Sequence, residues 1–289
     1  MYSNKYDRIT GKWSKKDYVL MRKLGSGGIG EIYLVHDLYG NTLALKIGKD
    51  LVSITKEYTN LKKFKGKGFI PEAYELDDCS RGGTLYHFFT MEYIEGCTLK
   101  NLAQNGRLSI RNKIDIVRVL TKALEQINNE GYVYTDLKYE NIMIDKRNGL
   151  IRLVDLGSIA KIGDIVKEYT AMYDRKSWNM GSRTAELSYQ LFAIMVLFIA
   201  MLLNRDLNPE KEKLECILQK LNKAGVPRKL NDILNRCCRG YIDSCGGLYN
   251  ELSALNIGSI NGSKVNMVLD AVIALLSILL AVLVGTIFA

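Results

Sequence analysis

Short stretches of this chain carry side chains whose types and spacing can do chemistry. VYTDLKYEN, Val133 to Asn141, holds Asp136, Lys138 and Asn141; DLG begins with Asp155; LALK ends in Lys46; and GSGGIG places glycines at Gly25, Gly27, Gly28 and Gly30. Carboxylate and carboxamide oxygens suit a hard cation such as Mg²⁺. Lysines neutralise charge on a phosphoryl group in flight, and a carboxylate beside a hydroxyl orients it and takes its proton. The backbone amides of a glycine-rich turn can approach phosphates closely. Together these types fit transfer of a phosphoryl group from a nucleotide.

The elements that must position these groups decide how GSGGIG is read. A G-x-G-x-x-G run also occurs in dinucleotide-binding folds, where it opens a helix. Here strand-like runs flank it, Tyr18 to Gly25 before and Glu31 to Asp37 after, and Thr42 to Ile47 reads as a third strand behind a YGN turn. SITKEYTNLKKF follows, with Ser53 the expected N-cap, Ile54, Tyr58 and Leu61 on one helical face, and Glu57 on the same helix. Thr84 to Tyr93 is strand-like again after the turn DDCSRGG. The pattern then turns helical. From a Ser109 cap, Ile110, Ile114, Val117, Leu120, Leu124 and Ile127 recur at helical spacing until Gly131 stops the run. NIMID and IRLVD read as short strands. The apolar run Leu191 to Leu203, 13 residues long, is too short to cross a bilayer and is expected to be a buried core helix.

In that order the motifs resemble the Hanks-type protein kinases, over residues 14–255. The resemblance implies an α+β, two-lobed fold with a β-rich N-lobe over 14–93 and a helical C-lobe over 97–255. It implies ATP under the glycine loop, Lys46 on its phosphates and paired with Glu57, and Mg²⁺, with Mn²⁺ as the alternative, held by Asn141 and Asp155. Asp136 is then the group that receives the substrate hydroxyl's proton, and Lys138 is the partner expected of serine/threonine kinases. MEYIEGCTLKNL resembles the hinge of bacterial serine/threonine kinases, with Met91 at the gatekeeper position and Glu92 to Ile94 facing adenine. Ile32, Ala44 and Met143 occupy the positions that sandwich adenine in the family, although each would equally suit a plain core. The stretch from Asp155 through Ile194 resembles the YabT-like kinases of endospore-forming bacteria, which implies a sporulation-linked enzyme tethered by one C-terminal span.

The chain departs from the family pattern in several places. Tyr134 and Thr135 stand where His and Arg are usual, and Leu156 stands for Phe. A Tyr supplies an apolar body for the His, while loss of the Arg removes the usual receiver of an activation-loop phosphate. No Ala-Pro-Glu motif separates Asp155 from the Leu191 helix, and its Arg partner is absent near Gly240, so a shortened substrate platform is expected. Thr170, Ser177, Ser182 and Thr184 fall in this region as candidate autophosphorylation sites. Asp164, Glu168 and Glu186 carry no assigned role.

The chain has 289 residues and a formal net charge of +9, which favours anionic partners without choosing among them. Its densest basic run, Leu61 to Phe69, reads as a solvated helix end. The N-terminus is polar, so a cytosolic chain with reduced thiols is expected. Cys237, Cys238 and Cys245 lack metal-site spacing and read as small packed side chains. Ala271 to Ala289 is 19 residues without a charge, a helix of about 28 Å against a hydrocarbon core of roughly 30 Å. That predicts a tail anchor over 265–289 behind a polar tether, 256–264, with the kinase domain cytoplasmic and the C-terminus across the cell membrane. Expected partners are protein substrates, the membrane and a homodimer acting in trans. Nucleic acid is weakly supported, because the tether is nearly uncharged. A pseudokinase or nucleotide-binding scaffold and a small-molecule kinase are the alternatives.

Overall fold

The computed structural model describes residues 8–104 and 108–255. The described residues divide into two compact units, one of residues 8–95 with 152–157, the other of residues 96–104, 108–151 and 158–255. The expected tether and membrane span lie outside the described residues.

In the first unit, period-2 alternation builds a six-stranded antiparallel sheet from β1 (Arg8–Thr10), β2 (Asp17–Ser26), β3 (Glu31–Asp37), β4 (Thr42–Gly48), β5 (Ala73–Arg81) and β6 (Thr84–Glu92), in the order β1-β2-β3-β4-β6-β5. One face packs Ile9, Tyr18, Leu20, Val35, Leu45, Ile47, Cys79 and Phe88 into a core. The other carries Ala44 and Lys46 and is met by α1 (Leu51–Lys63), whose Tyr58 ring lies 6.0 Å from that of Phe89.

Helix α1 begins earlier than its sequence suggests. Its N-cap is Asp50, whose carboxylate accepts from the amides of Val52 and Ser53, and the Ser53 hydroxyl donates to Asp50 instead of capping. Leu51 and Val52 are exposed, so the first turn shows no buried apolar stripe to mark the start. Strand β5 was not visible in the sequence because its acids read as a turn. The turn is Gly82–Gly83, both at positive φ, and Asp77 tolerates burial by accepting from the amides of Trp13 and Ser14.

Arg152–Gly157, which a division at residue 97 would leave in the helical unit, clusters with the sheet instead. The Leu153 amide donates to the Phe69 carbonyl at 2.8 Å, and Asn60 Nδ2 donates to the Leu156 carbonyl at 2.7 Å.

The second unit contains β7 (Gly96–Thr98), α2 (Leu99–Gln104), α3 (Ile110–Asn128), β8 (Tyr132–Tyr134) and β9 (Ile142–Asp145). After β10 (Ile151–Leu153) come β11 (Ile159–Lys161), α4 (Leu187–Leu203), α5 (Leu214–Lys223), α6 (Arg228–Cys238) and α7 (Cys245–Ser253). Ser109 caps α3 through a reciprocal capping box with Asn112. Helix α4 is buried from Tyr189 to Leu202 and packs against α3, α5 and α6, which makes it the frame of this unit. Among the described residues no helix is long and apolar enough to cross a membrane. Cys237 and Cys245 are buried, and burial pushes both thiols up to about 12. Short β8 pairs antiparallel with β11, fixing the backbone on which VYTDLKYEN begins.

Candidate active site

Antiparallel partners share a sheet face, so the pairings place Ile32 opposite Lys46, and Leu34, Ala44 and Met91 in the neighbouring row. On that face the buried Lys46 ammonium pairs with the fully buried Glu57 carboxylate from α1, and lies 3.8 Å from Asp155 Oδ1. Lys46, Glu57 and Asp155 are thus brought together from three separate parts of the sequence. The Gly157 amide donates to Asp155 Oδ1 at 3.1 Å, and the Asn60 bond to Leu156 fixes the DLG backbone to α1.

The glycine loop closes on itself through the Gly27 amide donating to the Gly30 carbonyl at 2.9 Å. A Cβ on Gly30 would stand 2.1 Å from the Ile47 carbonyl oxygen, so that glycine is demanded by close approach of β4. Gly25, Gly27 and Gly28 face open space, the room that phosphates need.

The strand expected to face adenine is pinned by a contact the sequence did not reveal. Glu92 pairs with the buried Arg152, which also donates to the Ile70 carbonyl at 3.1 Å. Glu92 is therefore an anchor for the end of β6, and its own amide donates to Glu72. Met91 and Ile94 are buried. Met143 lies in the second unit, on β9 opposite Thr98.

In the second unit, Asp136 pairs through Oδ2 with Lys138, and Asn141 Nδ2 donates to the Asp136 carbonyl at 3.0 Å. That bond directs the Asn141 carboxamide oxygen away, leaving it as a donor for a hard cation. Tyr134 is fully buried and its amide donates to Gln190 Oε1 on α4 at 2.8 Å. The buried Thr135 hydroxyl donates to the Ser158 carbonyl at 2.5 Å. Both unusual residues are thus built into the loop's support.

The Thr170 hydroxyl donates to Asp136 Oδ1 at 2.8 Å. Ser177 donates its hydroxyl to Asp174 Oδ2 at 2.6 Å, Ser182 is exposed, and Thr184 is hydrogen-bonded to Ser182. Asp174 is fully buried. Burial alone would raise its carboxyl, but hydrogen bonds from Arg183, Ser177 and Tyr189 hold it below the ordinary value. Glu186 is held below its ordinary value mainly by Arg175 Nη2 at 3.1 Å, aided by the Ser188 hydroxyl. The roles of Arg152, Gln190, Asp174 and Arg175 had no signal in the sequence, because each depends on a partner distant in the chain or on an irregular segment.

A model of the protein kinase domain matches residues 18–236. The chain belongs to the protein kinase family. It is 34% identical over 231 residues to the serine/threonine-protein kinase YabT of Bacillus subtilis, covering 75% of this chain and 67% of YabT. It is 27% identical over 157 residues to the serine/threonine-protein kinase PrkC of the same organism, covering 52% of this chain and 24% of PrkC. A probable serine/threonine-protein kinase of Dictyostelium discoideum is 31% identical over 153 residues, covering 50% of this chain and 22% of that protein. The donor set fits the family's cofactors, ATP and Mg²⁺. A bound metal would supply charge neutralisation at the phosphates; in the first unit Asp155 would offer it a hard oxygen and Lys46 would offer the phosphates a fixed cation, and in the second unit Asn141 carries a carboxamide oxygen of the same hard type.

The Arg152–Glu92 pair makes a test of the hinge. Arg152→Leu alone should destabilise the chain by about 3 kcal/mol, because it strands a half-buried carboxylate, whereas Arg152→Leu with Glu92→Leu should recover most of that loss. Denaturant unfolding of the two variants reads the difference; equal losses would show that the pair does not anchor the strand.

Proposed function

We propose that this chain is a working serine/threonine protein kinase held at the cell membrane by its C-terminal residues. The observation that carries the activity is Asp136. One carboxylate oxygen meets the Lys138 ammonium and the other already accepts a threonine hydroxyl at 2.8 Å. An incoming serine or threonine has to make that same hydroxyl contact before its oxygen attacks the γ-phosphorus. In the reaction Asp136 orients the hydroxyl and takes its proton, and Lys138 neutralises charge on the transferring group. Lys46, kept in place by Glu57, holds the nucleotide phosphates. The expected tail anchor is supported by the uncharged run Ala271 to Ala289. A sporulation link and a homodimer acting in trans rest on the YabT-like resemblance and on confinement in two dimensions.

With Mg-ATP and a generic protein acceptor, the full chain should transfer phosphate to serine and threonine, and Asp136→Asn should lower the rate about a thousandfold. Nucleotide binding without any transfer would favour the scaffold reading. Transfer confined to small hydroxylated molecules would favour a small-molecule kinase. Among the candidate sites, phosphate should appear first on Ser182, which is exposed and bonded only to Thr184 and Arg175, whereas the hydroxyls of Thr170 and Ser177 are held by the carboxylates of Asp136 and Asp174; peptide mapping that finds Thr170 first would contradict this order. The full chain should stay with membranes after alkaline carbonate washing, and its release would refute the anchor.

A further inference from the structure

The segment from Ser158 to Glu186 is mostly irregular, yet it has to present a protein substrate to Asp136. It lacks the Ala-Pro-Glu motif that would tie it down. We propose that Asp174, Arg183 and Tyr189 form a clasp that replaces this anchor and positions the substrate platform; the proposal rests on the kinase reading above.

The clasp starts on a rigid frame. Tyr189 is fully buried on α4, and its hydroxyl donates to Asp174 Oδ1 at 2.9 Å. Arg183 donates to Asp174 Oδ2 through Nε at 3.0 Å and Nη2 at 2.8 Å. The same oxygen accepts from the Ser177 amide at 3.0 Å and caps the short helical turn Arg175–Trp178. One carboxylate therefore gathers α4, residue 177 and residue 183. Only an ionised carboxylate accepts from a planar guanidinium and two hydroxyls at once.

Arg183 extends the clasp towards the chemistry. Its guanidinium stacks 3.7 Å from the centre of the Tyr169 ring, a use of Arg that Lys does not reproduce. Thr170, the next residue, donates to Asp136. The path from α4 through Asp174, Arg183 and Tyr169 ends one hydrogen bond from the carboxylate that receives the substrate hydroxyl. A second pair runs beside it. Arg175 donates to Glu186, Ser188 and the Ser182 carbonyl, and a Cβ on Gly181 would fall 2.6 Å from Arg175 Nε. The glycine is what lets the loop close over that guanidinium. Asp174 and Arg183 are positioning residues, since they reach Asp136 only through Tyr169 and Thr170.

A positioning role differs from mere stabilisation in which kinetic constant moves. In the full chain, Asp174→Asn and Arg183→Gln should each raise KM for a protein acceptor such as dephosphorylated casein about tenfold or more, with KM for ATP within about twofold of wild type. Tyr189→Phe should move the same constant in the same direction. Unchanged protein KM, or equal changes for both substrates, would overturn the proposal. Should Asp174→Asn fail to fold, Arg183→Gln carries the test, because the Arg183 side chain is 28% exposed. If the wild-type chain transfers no phosphate, the kinase reading fails on its own and the clasp is judged by amide hydrogen exchange. Arg183→Gln must then speed exchange across residues 169–183 about tenfold, and unchanged exchange there would overturn the clasp.

Discussion

The buried pair between Lys46 and Glu57 is the interaction on which the first unit's site depends. An ammonium and a carboxylate taken out of water survive only together, and removing one partner from such a pair costs about 3 to 5 kcal/mol. Satisfying that constraint fixes α1 against β4, aims Lys46 to within 3.8 Å of Asp155, and leaves Glu57 with no exposure. Asn60, one turn further along α1, holds the Leu156 carbonyl. The helix thus positions the Lys46 cation and the DLG loop together. Arg152 and Glu92 obey the same constraint at the end of β6, so the strand carrying Met91 and the strand leading into Asp155 are locked to each other.

The second unit meets the constraint with a different set of groups. Around Asp136 the supports are neutral hydrogen bonds: Gln190 accepts from the Tyr134 amide and Thr135 donates to the Ser158 carbonyl. Charge is concentrated downstream, at Asp174 with Arg183 and at Glu186 with Arg175. The expected shortening of the platform is therefore accompanied by a local set of ion pairs. Glu186, which had no assignable role from sequence, has one in this set.

Much of the fold was legible because long periodic stretches carry their own evidence. Glu31 to Asp37 alternates, Ile110 to Ile127 repeats at helical spacing, and Ser109 announces its helix; all appear with those bounds or within a residue or two. The apolar run at Leu191 was short for a membrane and is a buried helix. Three-residue strands such as β8 and β11 show no period, and β5 was hidden by acids that only tertiary partners make tolerable. The candidate reactive residues were legible because the chemistry expected of them restricts their type. Their supports were not, since Arg152, Gln190 and Asp174 act through partners that sequence distance conceals.

On the proposed function VYTDLKYEN is a complete catalytic loop, with Tyr134 and Thr135 serving as support and not marking decay. The direct measurement is the steady-state rate of phosphate transfer by the full chain carrying Tyr134→His and Thr135→Arg, compared with wild type. Restoring those types should give no gain, because it breaks the buried Thr135 bond to Ser158 and adds a cation with no built partner. A gain of about tenfold or more, worth roughly 1.4 kcal/mol of barrier, would contradict the account and show that the loop is impaired as it stands.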